Sequence, residues 1–460
     1  MNKGYLVLEN KVSLQRDWDL PNTKHITIMD PLNDSEGFDK IISIYEVDNH
    51  WYLLASTRSG KSEFIKLIYI KLVLKADASI VLFDPHGDLA RQCAKLKIDK
   101  GDIIYIDPTV KKGFTPTINP FRLNKTNESN IAIVAQELII AFESIIGTDF
   151  SPNMESLLTP LIYTLLRKGD SGVDELLRFL DDKNNEDLVA LGLQSTIEAH
   201  KKFFEHQFLQ SKFNVTKDAL ASKLQILLNH PIFSNFITGD STFNLEKAIN
   251  NKKVVIFRLP KGKMRKALEP AAKLIMALIQ GIVFKRSDLP ENLRPKTYLI
   301  CDEYQNFFSQ MSDEILSESA KNNLYILGAH QYLSQLDNKS KEGLMSGANI
   351  KIIGKNSNKD LKVMSEEIEV DIQSLKVLNQ GEFYVKVGSN SAIKIGTTDK
   401  FLGNSLSIDE TSWKQQLRYQ RKKYYKKIED ITDVKIQSDT PVGNTDAPST
   451  SLPIPQFDKD

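Results

Sequence analysis

Residues Ala55 to Ser62 read A-S-T-R-S-G-K-S, and no other stretch restricts the fold as tightly. The pattern G-x-x-x-x-G-K-[ST] cradles polyphosphate on backbone N–H groups, sets an ammonium against the outer phosphates and offers a hydroxyl to magnesium. It does so only where it joins a strand to a helix. The flanks comply: Trp51 to Leu54 is a short apolar strand, and Glu63 to Lys75 has helical spacing. Ala55 replaces the first glycine, and Arg58, where a further glycine is common, either adds a cation near the phosphates or points to solvent. The expected nucleotide-binding set is Ala55, Ser56, Thr57, Arg58, Ser59, Gly60, Lys61 and Ser62, with ATP as ligand and Ser62 on Mg2+.

A second element is K-T-Y-L-I-C-D-E, Lys296 to Glu303. A continuous apolar run is the pattern of a buried parallel strand, and the carboxyl ends of such strands carry ligand chemistry in open α/β sheets. Asp302 is expected in the magnesium shell, and Glu303 is expected to orient and deprotonate the attacking water. The bland alternative, a core strand followed by two solvated acids, fits either motif alone better than both in this order.

A chain of 460 residues implies two or three structural units. The net charge of +1 excludes a protein that coats nucleic acid wholesale, so such binding needs local patches. Cys93 and Cys301 are the only cysteines, which suggests neither a disulfide framework nor a metal cage and suits a reducing cytoplasm. Met1 to Gln15 lacks a signal-peptide core. The most apolar stretch, Phe64 to Phe83, is interrupted by Lys66, Lys71, Lys75 and Asp77, so no transmembrane segment and a cytoplasmic location are expected.

Along the chain, residues 1–45 read as a small N-terminal β module, with strands at Tyr5 to Leu8 and His25 to Met29. Residues 46–123 alternate strand and helix: Ile80 to Phe83 is followed by D-P-H-G-D, and Ile103 to Ile106 by Asp107. Residues 124–246 show helical periodicity, in Ile131 to Ile146, Met154 to Arg167, Val173 to Leu180, Glu186 to Gln207 and Lys217 to Asn229. Phe203, Phe204, Phe208 and Phe213 there are expected to be core. The strand pattern resumes over 247–405, with Val254 to Phe257, a helix from Glu269 to Arg286, the carboxylate strand, Tyr325 to Gly328, and edge strands at 350–354 and 383–387. Residues 406–460 comprise a basic helix, Trp413 to Lys427, and a polar tail expected to be disordered. The fold class is α/β, with a mostly parallel sheet covered on both faces.

D-P-H-G-D-L-A (84–90), I-D-P-T (106–109), I-N-P-F (118–121), L-I-C-D-E-Y-Q-N-F (299–307) and I-L-G-A-H-Q-Y-L-S-Q-L (326–336) together resemble the type IV secretion coupling-protein family. These are conjugative DNA-transfer ATPases related to the HerA and FtsK translocases. The resemblance runs from about His50 to Thr398. It implies a RecA-like P-loop NTPase with an all-helical insertion, a homo-hexameric ring with ATP sites between subunits, and DNA in a central channel. It also implies Lys61 and Glu303 as catalytic residues, with Gln331 as the γ-phosphate sensor at the end of a strand beside the carboxylate strand. Asp84 is expected beside the phosphate loop, and His86 is expected to be structural.

Two departures carry weight. Family members often have membrane helices at the N-terminus, so a place at the inner face of the membrane would come through partners, such as a relaxase, type IV secretion components or a nuclease. Many also carry an arginine that acts on the neighbouring subunit's ATP, and Ala320, before Lys321, stands in that place. Arg58, Arg265 and then Arg258 are the candidate replacements. DNA contact is open at two places, the basic segment Lys261 to Lys266 and the run Trp413 to Lys427, each against the reading of a solvated charged surface. The resemblance implies an ATP-driven DNA translocase, moving DNA with or without an attached relaxase through a ring during conjugative transfer. The alternatives are a nucleotide-gated adaptor with little hydrolysis and a HerA-like DNA-processing or secretion ATPase.

Overall fold

Strands buried on both faces organise the molecule. Trp51–Leu54 (β3), Ala78–Asp84 (β4) and Ile103–Ile106 (β5) are buried along their whole length, and Val254–Arg258 (β7) is buried except at its last residue. Strands of this kind need helices on both sides. The computed structural model describes residues 26–30, 40–44, 48–75, 77–97, 103–122, 127–147, 150–307, 316, 318–396 and 407–428. The strand expected at Tyr5 to Leu8 and the tail expected from 431 onwards lie outside the described residues.

The remaining strands are Ile26–Asp30 (β1), Lys40–Ile44 (β2), Phe114–Thr115 (β6), Lys296–Cys301 (β8), Leu324–His330 (β9), Ile350–Gly354 (β10), Glu382–Val387 (β11), Ile393–Gly396 (β12) and Lys426–Lys427 (β13). A nine-stranded sheet runs β12-β11-β10-β3-β9-β8-β4-β7-β5. Every pairing from β10 to β5 is parallel, and β11 and β12 are antiparallel. The fold is therefore α/β and mostly parallel, as expected. β10 is not an edge strand: it lies beside β3, with β11 and β12 beyond it. β1 and β2 form an antiparallel hairpin.

Because side chains alternate along a strand, the sheet divides two cores. Trp51, Leu53, Ile80, Leu82 and Tyr105 pack with Lys61–Lys75 (α1) and Asp88–Lys95 (α2) on one face. Tyr52, Leu54, Val81, Phe83 and Ile106 pack on the other face, under the helical segment and Leu268–Phe284 (α12).

That helical segment holds Glu128–Ile146 (α3), Pro152–Lys168 (α4), Val173–Phe179 (α5), Glu186–Gly192 (α6), Glu198–His206 (α7), Asn214–Leu228 (α8), Pro231–Ile237 (α9) and Leu245–Asn250 (α10). The single helix expected over Glu186 to Gln207 is two. The chain turns after Gly192, whose missing Cβ leaves room for the Phe204 ring. Phe203, Phe204, Phe208 and Phe213 are buried together. The described residues up to Ile428 form one compact unit, helical segment included. α3 and the run Lys261–Asp288 are long and apolar enough to cross a membrane. α12, which fills most of that run, is buried over nearly its whole length here.

The basic segment Lys261 to Lys266 is a short helix, Lys261–Met264 (α11), that runs into a 3-10 turn, Arg265–Ala267. At the other end, helix Glu410–Tyr424 closes the β5 edge of the sheet. Gln420 Oε1 accepts from Tyr105 N–H (3.0 Å), and its Nε2 donates to the Ile103 carbonyl (2.8 Å), as a neighbouring strand would. Trp413 packs edge-on to Tyr105. Tyr424 is buried, and the Tyr425 hydroxyl donates to Tyr105 O and accepts from Asp107 N–H. These tyrosines are therefore not free to stack on bases. Only the outer face, with Arg418, Lys422 and half-exposed Tyr419, meets solvent.

Candidate active site

The phosphate loop leaves β3 and enters α1. Gly60 sits at φ 97°, and a Cβ there would lie 2.9 Å from the Gly381 backbone. Only glycine satisfies both demands. The loop is braced from outside its own sequence: Gly381 N–H donates to Ser59 O (2.7 Å), and Ser56 donates its N–H (3.0 Å) and hydroxyl (2.8 Å) to Lys355 O. Ala55 donates its N–H to His330 O. These braces come from the strand ends around β9, β10 and β11, and nothing in the loop's own residues announces them. Arg58, in the left-handed region at φ 63°, is exposed, and the Thr57 side chain at the loop's tip is exposed too.

Lys61 is the centre of the arrangement. Its Nζ lies 2.5 Å from Asp302 Oδ1 and 2.8 Å from Glu303 Oε1. Consecutive side chains on a strand point to opposite faces, but Glu303 adopts φ 55° just after β8 ends. This left-handed turn lets both carboxylates reach one ammonium. Such a conformation in a non-glycine residue costs on the order of 1 kcal/mol and persists where surroundings impose it.

Burial opposes charge on Lys61, but the two carboxylates outweigh it and hold the ammonium above its usual range. Burial pushes Asp302 up against the pull of Lys61. Glu303 is also buried, yet His86, Lys61 and Gln331 together hold it well below the usual carboxylate range.

β9 lies between β3 and β8, so its carboxyl end faces both. Gln331, immediately after it, donates from Nε2 to Glu303 Oε1 (2.6 Å) and accepts at Oε1 from the Thr57 hydroxyl (2.7 Å). One amide thus bridges the phosphate loop and the acidic pair. Asn356 fixes it from behind, donating to Gln331 O (2.9 Å). Its neighbour His330 is buried against the Tyr52 hydroxyl, and burial lowers its pKa to about 3.

Sequence reasoning missed several supports. Gln305 Nε2 donates to Glu303 Oε2 (2.7 Å). His86 Nε2 lies 3.7 Å from Glu303 Oε1, and that contact raises the imidazole's pKa. The D-P-H-G-D motif was the available signal. Asp84, in contrast, is not beside the phosphate loop: β4 is separated from β3 by β8 and β9. Its oxygens accept from His86 N–H and Ala90 N–H, closing the turn into α2. Arg258 is committed within its own subunit, to Gly87 O and Asp107. Ala320 lies in a 3-10 turn, and Lys321 pairs with Glu318.

The residues fit a magnesium–triphosphate. Ser62 is exposed in the first turn of α1, and Asp302 pairs with its chain neighbour Lys61. One hydroxyl and one carboxylate is the sparse donor set of a magnesium ion that keeps waters and phosphate oxygens. Ser59 Oγ, buried in the loop, has no hydrogen-bond partner among the described residues. No cluster of three or more His, Cys, Asp or Glu forms a self-sufficient metal cage among them.

A family model described as the central domain of helicase HerA matches residues 34–279, a span ending before the acidic strand. Solved structures share the fold. Plasmid coupling protein TrwB in complex with ADP and Mg2+ is 19% identical, with 76% of this chain and 86% of that chain covered and a TM-score of 0.56. VirB4 of Thermoanaerobacter pseudethanolicus is 16% identical, with 82% and 98% covered and a TM-score of 0.57. Among curated protein sequences nothing matches.

Proposed function

We propose, for a chain that belongs to the HerA helicase central-domain family, an ATP-driven motor that moves DNA through a homo-hexameric ring. In the proposed site the phosphate-loop amides and Lys61 hold the triphosphate, and Ser62 and Asp302 hold Mg2+. The ion supplies charge neutralisation at the β- and γ-phosphates. Glu303, kept ionised by its donors, orients water and takes its proton as the water oxygen attacks the γ-phosphorus and ADP leaves. Gln331 reports the γ-phosphate to the loop and the acidic pair at once. Arg265, exposed at φ 47°, is the arginine offered to the neighbouring subunit's ATP. The cargo is DNA, alone or with an attached relaxase, and the protein works in the cytoplasm or at the inner face of the membrane through secretion partners.

The observation that carries this reading is the Gln331 amide spanning Thr57 and Glu303, because it joins nucleotide grip to water activation in one group. Lys61→Ala is expected to abolish ATP binding. Glu303→Gln is expected to retain binding and stop turnover, and DNA should stimulate the parent ATPase many-fold. Hydrolysis by Glu303→Gln at the parent rate would remove Glu303 from its role.

A second reading, a nucleotide-gated adaptor, draws support from Ala320 and from the internal engagement of Arg258. Slow turnover that DNA leaves unchanged would favour it.

A further inference from the structure

We propose that Arg258 is a positioning residue for hydrolysis, holding the turn 84–88 so that His86 stays against Glu303. The inference rests on the reading of Glu303 as the base. Arg258 ends β7 directly opposite Asp84, the end of β4. Its Nε donates to Gly87 O (3.0 Å) and its Nη1 to Asp107 Oδ2 (2.8 Å). Gly87 has φ 91°, and a Cβ there would lie 2.6 Å from Arg258 Nε. The guanidinium therefore lies directly on the turn's backbone, at a site glycine alone can occupy.

Its anchor is itself immobilised. Asp107 Oδ1 accepts from the N–H and the hydroxyl of Thr109 (2.8 Å each), and Asp107 N–H donates to Tyr425. Asp84 pins the turn from its other side through His86 N–H and Ala90 N–H.

The consequence lies one residue away. The His86 side chain is 56% exposed, so packing does not fix its imidazole. Its approach to Glu303 depends on where the backbone of the turn sits, and Arg258 sets that place. A group displaced by about 1 Å can lower a rate by about a hundredfold when orientation matters. Glu303 keeps its other donors, so a loss nearer tenfold is expected.

The test uses the full chain with Arg258→Lys, His86→Ala and the pair together. Lysine keeps the charge, but a single ammonium cannot span Gly87 O and Asp107 as the fork does. Arg258→Lys should lower DNA-saturated kcat roughly tenfold, with affinity for a fluorescent ATP analogue unchanged. It should cost nothing further once His86 is alanine, because one acts through the other. Losses that multiply, an unchanged kcat, or a matching fall in affinity would overturn the proposal. Should Arg258→Lys fail to fold, Asp107→Asn loosens the same anchor and is read in the same way. The His86 ring resonances of the nucleotide-free protein give a readout without turnover. They should move towards those of an unrestrained histidine in Arg258→Lys, and unmoved resonances overturn the inference. If Glu303→Gln proves active, the base reading fails alone, and the resonances still decide whether Arg258 holds His86.

Discussion

At the scale of single residues, the site divides by how far apart its partners lie. Lys61, Ser62, Asp302 and Glu303 were legible because each belongs to a short pattern with a chemical reason. Gly381, Lys355 and Asn356 were not. The first two act through a backbone N–H and a backbone carbonyl, and Asn356 donates its side-chain amide to a backbone carbonyl. All three are remote in the chain from the groups they hold. Buried histidines were equally silent. His50 donates from Nε2 to Leu316 O and accepts at Nδ1 from Ile326 N–H, and burial lowers its pKa to about 4. An unfolded chain takes up this proton near pH 6.5, whereas the folded chain resists until about 4. Stability is therefore expected to fall as pH drops through that window, by about 1.4 kcal/mol per unit from this group. Urea midpoints measured between pH 7 and 4.5 check the slope, and His50→Gln should flatten it.

At the scale of elements, strands and helices were readable where an apolar period ran unbroken, as in β4, β8 and α4. Their neighbours in the sheet were not readable, because the order follows from crossovers and not from local pattern. β10 looked like an edge and is interior for that reason. The C-terminal helix shows the complementary limit. Its charges suggested a nucleic-acid surface, while the residues that place it, Trp413, Gln420 and Tyr424, are spaced for burial against β5 and Phe243. Open sheet edges invite pairing with other chains, and Gln420 blocks this one. Gln420→Leu leaves Tyr105 N–H and Ile103 O without their partner. The expected cost is about 1–3 kcal/mol, with concentration-dependent aggregation, read by thermal melting and light scattering.

At the scale of the whole molecule, the sheet, its two cores and the helical segment share one compact unit. Boundaries drawn from periodicity at 124 and 246 mark a change of pattern more than a change of body, since α12 of the later segment packs on α3 of the earlier one. The candidate site sits at the carboxyl end of the parallel strands. Native mass measurement with an ATP analogue and DNA is expected to give a six-fold particle. Monomer under those conditions would count against the ring.

The placement of β3 between β9 and β10 also governs how the polypeptide is made. Tyr52 and His330, which touch across that pairing, are 278 positions apart. At ribosomal speeds this spacing amounts to roughly 15 to 55 seconds. For that interval the strand that leads into the phosphate loop has been synthesised but has neither flanking strand, and its apolar edge positions are open to chaperones or to a sister nascent chain. Ribosome-bound intermediates ending before β9 should therefore engage holdases and ignore ATP.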